Sequence, residues 1–188
     1  MAISKKVKNA LNGASWVRRM FEEGEELKRT CGEKNVFDFS LGNPNLEPPA
    51  SLKKALKALA DCPIPGMHRY MPNCGYSDTR KAIAQYLSEE SELPFEEKHV
   101  VMTVGAAGGL NVVLKATLDE GDEVIVPSPY FMEFKSYIEN CGGEIRLVET
   151  HDDFSLNLKG IEKAIHKRTK AILVNSPNNP TGVVYNKE

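Results

Sequence analysis

From about Lys5 to Arg29, apolar residues recur at three- and four-residue intervals among charged ones: Val7, Leu11, Ala14, Val17, Met20, Phe21 and Leu27. That spacing predicts an amphipathic helix, with Gly13 and Gly24 as positions where it breaks or frays. Val36-Phe37-Asp38-Phe39-Ser40 alternates and predicts a short strand, closed by Gly42-Asn43-Pro44-Asn45 and Pro48-Pro49, residues of turns and extended chain. This stretch reads as a linker between an N-terminal arm and the main domain. Helices are predicted from about Ala50 to Ala60 and from about Tyr76 to Glu90, with an irregular, proline-bearing stretch from Cys62 to Gly75 between them.

Beyond residue 98 the pattern becomes regular. Apolar runs from Val100 to Val104, Val124 to Val126, Ile145 to Val148 and Ala171 to Val174 alternate with helical periodicity near 106–118, 131–140 and 158–167. This is a βαβαβαβ series. Runs that are apolar throughout, rather than alternating, belong to parallel strands covered by helices on both faces. The sequence therefore predicts an α/β fold, a three-layer αβα arrangement around a mostly parallel sheet.

With 188 residues, 41% of them hydrophobic, the chain is long enough for a true core. Lys plus Arg total 24 against 26 Asp plus Glu, and no basic stretch is interleaved with aromatics, so no nucleic-acid partner is expected. No apolar run approaches the roughly 20 residues that span a bilayer, and MAISKKVKNA lacks the apolar segment of a signal peptide. No membrane association and a cytoplasmic location are the expectation. Cys31, Cys62, Cys74 and Cys141 are widely spread, without C-x-x-C spacing or clustered histidines. Neither disulfides nor a metal site are expected, and each cysteine reads as a small, partly buried hydrophobe. His68, His99, His151 and His166 are equally scattered, and none is assigned a role.

Three segments carry possible chemistry, each following an apolar run. Thr103-Val104-Gly105-Ala106-Ala107-Gly108-Gly109-Leu110 joins a predicted strand to a predicted helix. Small residues there let backbone N–H groups approach an anion, and the helix dipole favours a phosphate. Close packing of helix on strand explains the same residues, and neither a Walker loop nor G-x-G-x-x-G is present. Val174-Asn175-Ser176-Pro177-Asn178-Asn179-Pro180-Thr181-Gly182 begins at the carboxyl end of the last run, where ligands bind in open α/β sheets. Asn179 stands out because its amide both donates and accepts and the following proline biases its backbone to an extended form. An ordinary Asn-Pro turn is the alternative. Pro127-Ser128-Pro129-Tyr130-Phe131 places aromatic rings at the same edge, suited either to covering a flat ligand or to core packing.

Taken in order with Ser40-Leu41-Gly42-Asn43-Pro44, Tyr70 and the Gly75-to-Tyr86 helix, these segments closely resemble the class I/II aminotransferases, pyridoxal-phosphate enzymes of fold type I. The resemblance spans roughly residues 36 to 185, and its most specific piece is the Asn-Ser-Pro-Asn-Asn-Pro-Thr-Gly run. It implies residues 1–48 as an N-terminal helical arm and linker, part of a small domain. Residues 49–188 would be an incomplete pyridoxal-phosphate-binding large domain. By this resemblance the backbone at Gly105, Ala106 and Ala107 holds the cofactor phosphate, Phe131 stacks on the pyridine ring with Tyr130 as its competitor, and Asn179 hydrogen-bonds the cofactor's phenolic oxygen. Gly42 lies by the substrate carboxylate. Tyr70 reaches the cofactor phosphate of a neighbouring subunit, which implies a homodimer; a ring at a loop edge is its plainer reading. The implied partners are an amino acid and a 2-oxo acid.

The family's pyridine-nitrogen Asp, Schiff-base Lys, phosphate-binding Arg and carboxylate-binding Arg all follow the Asn-Pro-Thr-Gly segment. This chain ends at Glu188, nine residues after Asn179, and its only later lysine is Lys187. It is therefore expected to be a fragment of an aminotransferase, with no catalytic residue present and no activity alone. A lyase or decarboxylase on the same fold, or a non-catalytic truncated paralogue acting as a binding module, are the alternatives. A nucleotide-binding protein is less well supported, because Pro127-Ser128 stand where an acidic residue would hold a ribose. In the family the first large-domain strand pairs with one from beyond residue 188, so Val100 to Val104 is expected to lack a neighbour.

Overall fold

The computed structural model describes residues 2–5, 7–8, 15–39, 42, 46–62 and 64–186. The chain divides into two compact units, Met1–Arg69 and Tyr70–Glu188. In the first, the apolar periodicity yields helix α1, Ser15–Cys31, and Ala50–Asp61 forms α2. Helix α1 continues through Gly24 instead of breaking there. A Cβ at Gly24 would lie 3.4 Å from Asp38 Oδ2, and Lys28 Nζ is 2.7 Å from that same oxygen. The hydrogen bond to Asp38, helped by Glu25, raises the Lys28 pKa above its ordinary value. The strand expected at Val36 to Ser40 is not formed over Val36–Phe39, where Phe37 and Phe39 are exposed and, among the described residues, no strand pairs with the run. Ser40, Leu41, Asn43, Pro44 and Asn45, like Gly13, lie outside the described residues.

The second unit holds the core. Helix α3, Ser77–Ser91, is followed by a short 3-10 turn, Glu97–His99. Helix α4, Gly105–Thr117, leads into strand β1, Glu123–Ser128. Helix α5 (Glu133–Asn140), strand β2 (Glu144–Glu149), helix α6 (Leu158–Ala164) and strand β3 (Thr169–Ile172) complete it. Among the described residues the sheet has three parallel strands in the order β2-β1-β3.

Central strand β1 shows why its sequence is apolar throughout. Val124 and Val126 pack with Leu114 and Leu118 from α4 and its C-cap and with Phe134 and Ile138 of α5. Ile125, pointing the other way by the two-residue period of a strand, packs on Ile161 and Ala164 of α6. All three β1 residues are essentially solvent-free. This is the expected three-layer αβα arrangement. At about 25 cal/mol per Å² of apolar surface, each such side chain contributes roughly 1.5–3 kcal/mol of burial free energy.

The run Val100 to Val104 is not a strand. Val100 has extended dihedrals and is buried, but Val101 and Val104 are exposed, and the segment pairs with no strand among the described residues. A strand exists only where a ladder partner satisfies its backbone, and here the Met102 N–H donates instead to the Cys74 carbonyl at 3.0 Å. Helix α6 also stops earlier than its periodicity suggests. Ile165 turns to extended dihedrals, and the Thr169 N–H closes a turn onto the His166 carbonyl at 2.9 Å before β3 begins.

One charged side chain is buried at the amino-terminal end of β1. The Glu123 side chain is 5% exposed; its Oε1 accepts from Arg168 Nη2 at 2.6 Å and its Oε2 lies 2.8 Å from His166 Nε2. All four cysteines are free: Cys141 lies in the core as a small hydrophobe, whereas Cys31, Cys62 and Cys74 are exposed rather than partly buried. No helix among the described residues is long and apolar enough to cross a membrane.

Candidate functional site

The carboxyl ends of β1 and β3 are adjacent because the two strands are parallel neighbours, with Ile125 opposite Ile172. The chain leaving β1 carries Pro129, Tyr130 and Phe131; the chain leaving β3 carries Asn175 to Gly182. Both loops are tied down. The Ser128 carbonyl accepts from the Thr150 N–H at 3.1 Å and from Thr150 Oγ1 at 2.9 Å. In the second loop, Asn175 Oδ1 accepts the Asn179 N–H at 2.8 Å and Ser176 Oγ accepts the Tyr185 N–H at 3.1 Å. The X–Pro bonds at Ser128-Pro129, Ser176-Pro177 and Asn179-Pro180 are cis.

Asn178 joins the loops. Its Nδ2 donates to the Pro129 carbonyl at 3.2 Å and to Thr181 Oγ1 at 2.9 Å. Its backbone N–H donates to the Val183 carbonyl at 2.8 Å, and its own carbonyl accepts the Gly182 N–H at 2.7 Å. The residue is 7% exposed. Behind it, Val126, Pro127, Tyr130, Phe134, Leu173 and Tyr185 help line a space too small for a water molecule. Burial raises the Tyr185 pKa, so its phenol stays neutral through the physiological range.

Phe131 is 37% exposed, its ring meeting Phe134 edge-on with centroids 5.5 Å apart. Tyr130 is the more enclosed of the two aromatics, packed against the core cluster. The Asn179 residue is exposed, and its side-chain amide is engaged in none of the loop's internal bonds described above. The paired segments of the sequence are thus brought to one edge.

Gly105 opens α4 at φ 66°, and a Cβ there would meet nothing within 4 Å. The first helical bond is made by the Gly108 N–H to the Val104 carbonyl at 3.2 Å, so the N–H groups of Ala106 and Ala107 lie in the first turn, ahead of any intrahelical acceptor. A short turn, residues 118–122, joins α4 to β1, which makes the helix antiparallel to the strand. Helix and strand are each about 20 Å long at 1.5 and 3.3 Å per residue. The amino terminus of α4 therefore lies towards the carboxyl end of β1. An open glycine, small side chains and unspent N–H groups suit an anionic phosphate, and an exposed aromatic face suits a planar ring. The residues present fit a phosphorylated, flat cofactor.

Tyr70 begins the second unit and is fully exposed. Gly42 belongs to the first unit, with nothing within 4 Å of where its Cβ would be. Two residues escaped the sequence reading. Asn178 was overshadowed by Asn179, and nothing local distinguishes which of two adjacent amides turns inward. Glu123 had a signal: a carboxylate opening the run Glu-Val-Ile-Val must find partners if that run is buried.

An open parallel α/β sheet with polar and aromatic loops gathered at its strand carboxyl ends, where such sheets bind ligands, defines the class of protein. Residues 34–188 match the family model for aminotransferase class I and II, and the chain belongs to that family, whose members use pyridoxal phosphate. It is 37% identical over 158 residues to a probable aspartate/prephenate aminotransferase of Aquifex aeolicus, an alignment covering 82% of this chain and 39% of that protein. The aspartate/prephenate aminotransferase of Thermus thermophilus is 39% identical over 157 residues, 82% of this chain and 40% of its own length. Among solved structures, an aminotransferase from Eubacterium rectale superposes with a TM-score of 0.93 at 30% identity, over 100% of this chain and 48% of that one. A single mutant of Thermus thermophilus aspartate aminotransferase gives 0.83 at 31%, with the same coverages. The chain spans about two fifths of the length of the curated relatives it matches.

Proposed function

We propose that this polypeptide forms the cofactor-cradling part of a pyridoxal-phosphate aminotransferase that moves an amino group between an amino acid and a 2-oxo acid. Pyridoxal phosphate, when bound, supplies the electron sink for a substrate carbanion. The backbone at Gly105, Ala106 and Ala107 cradles its phosphate: Ala106 and Ala107 present free N–H groups, and Gly105, whose own N–H donates to the Thr103 carbonyl at 3.0 Å, leaves the space open. Phe131 covers one face of its ring and keeps water from it, and Asn179 donates a hydrogen bond to its phenolic oxygen. Gly42 leaves room for a substrate carboxylate. Relatives bearing aspartate in their names make aspartate the first amino donor to try.

The reading extends to a cytoplasmic homodimer in which Tyr70, fully exposed here, reaches a neighbouring subunit's cofactor phosphate. It divides the chain into an arm over 1–48 and an incomplete large domain over 49–188. It also holds that these 188 residues do not transaminate alone, because the family's Schiff-base lysine and pyridine-nitrogen aspartate have no counterpart in them. The observation that carries the reading is the tie between the Phe131 and Asn179 loops at the carboxyl edge of β1 and β3.

Titration with pyridoxal phosphate, followed by absorbance, borohydride trapping and mass spectrometry, tests it. Reversible binding without a lysine-specific adduct is expected. A single stoichiometric lysine adduct with amino-acid turnover would mean that a lysine within this chain completes an active site. Absence of any binding would remove the cofactor reading.

A further inference from the structure

Asn178 is a buried amide with every described bond directed within or between two loops, and it spans 49 residues of sequence to do so. Its partner on the first loop is the carbonyl of Pro129, two residues before Phe131. Its own position is one residue before Asn179. The two groups assigned above to the cofactor ring therefore hang on either side of a single side-chain hydrogen bond. We infer that Asn178 is a positioning residue: through its Nδ2 bonds to Pro129 and Thr181 it sets the separation between Phe131 and Asn179, and so the slot for a flat ring. This rests on the proposed function above.

The physical case is one of preorganisation. Loops that hold their bound spacing in advance spare the ordering entropy otherwise lost on binding. The Asn178 amide is nine-tenths buried, and the space behind it excludes water, so the N–H that reaches Pro129 finds no water there in place of that carbonyl. Opening the slot leaves that N–H unpaired, while the other keeps Thr181 of its own loop, at a cost set by desolvation rather than by one surface hydrogen bond. The backbone bonds from Asn178 to Val183 and Gly182 close only its own loop. The side chain alone crosses to the other.

Neither Asn178→Ala nor Asn178→Asp removes a group that touches the cofactor. The Asp variant keeps the volume and shape and lacks the two N–H donors, so it serves if the Ala variant fails to fold. The 188-residue chain and both variants are compared by NMR, without ligand and during titration with pyridoxal 5'-phosphate. Contacts between the 129–131 and 178–181 segments are read first, then shifts at the Gly105–Ala107 amides and at the Phe131 ring and Asn179 amide.

The expected result is that the variants lose the inter-loop contacts while their circular dichroism is unchanged. The Gly105–Ala107 shifts persist, the Phe131 and Asn179 responses vanish, and the dissociation constant rises by about tenfold, the equivalent of 1.4 kcal/mol. Inter-loop contacts that survive in both variants would overturn the inference. So would loops that part while the Phe131 and Asn179 responses stay intact. If the unsubstituted chain responds at neither end, the function reading fails, and the ring-positioning role with it; that failure is distinguishable because it precedes any substitution.

Discussion

At the amino-terminal end of β1, Glu123 places a carboxylate where the fold has no solvent to offer it. His166 Nδ1 accepts the Arg168 N–H at 3.3 Å, and its Nε2 faces Glu123 Oε2 at 2.8 Å. The His166 hydrogen bond is the main reason the Glu123 pKa is lowered; the charges of Arg168 and Arg146 act in the same direction, and burial opposes them. A carboxylate whose folded pKa lies below its unfolded value, about 4.3, stabilises fully above that value, and the gain is lost as pH falls through the folded pKa. Glu123→Gln keeps the shape and loses the charge. Because Arg168 and Arg146 are about half exposed and recover hydration, the variant is expected to lose only about 1–2 kcal/mol at pH 7. Urea unfolding at pH 7 and pH 3 checks the sign: the gap between the two proteins narrows in acid. A gap that is constant or widens would mean that packing, not charge, holds the carboxylate.

Among the elements, α3 is fastened by its amino terminus. Arg80 donates from Nη1 to the Glu97 carbonyl at 2.9 Å and from Nε to the Gly75 carbonyl at 3.3 Å, and Ser77 donates to the Glu97 carboxylate. The turn before the helix lies directly on Met102 of the Val100–Val104 segment. Gly75 makes that approach possible: at φ 94° it occupies the left-handed region, and a Cβ would collide with Met102 Cγ and fall 2.8 Å from Met102 Cβ. Gly75→Ala combines an overpacked contact with backbone strain and is expected to cost about 2–4 kcal/mol. Thermal unfolding measures the loss. Faster exchange of the Met102 amide, bonded to Cys74, locates it; unchanged Met102 protection would show that the turn does not hold the segment.

For the molecule as a whole, β3 is the consequential edge. It pairs with β1 on one side, and among the described residues no strand covers the other, while Ile172 and Val174 stand about half exposed. The solved relatives are about twice as long as the stretch this chain matches. An uncovered apolar strand edge is a template for pairing with another chain. The 188-residue polypeptide is therefore expected to self-associate with rising concentration, and Ile172→Lys, which adds charge at the edge, to shift it towards monomer. Sedimentation velocity decides; a wild-type chain that stays monomeric throughout would show that the edge is protected.

Much was legible in the order of residues. The α4-β1-α5-β2-α6-β3 alternation, the buried β1 run and the family's Asn-Ser-Pro-Asn-Asn-Pro-Thr-Gly segment are local patterns, and a helix or strand period is written in the side chains that form it. The sequence by itself determined these, and with them the family and the candidate loops at the sheet edge. Tertiary structure decided what depends on a distant partner. Val100–Val104 and Val124–Val126 are alike as apolar runs, yet only the second has neighbours on both sides and becomes a strand. Asn178 and Asn179 are alike as residues, yet only the first turns inward to reach Pro129. A ladder, a buried carboxylate and an inter-loop hydrogen bond each need two segments far apart in the chain, and their meeting is set by packing, not by local propensity.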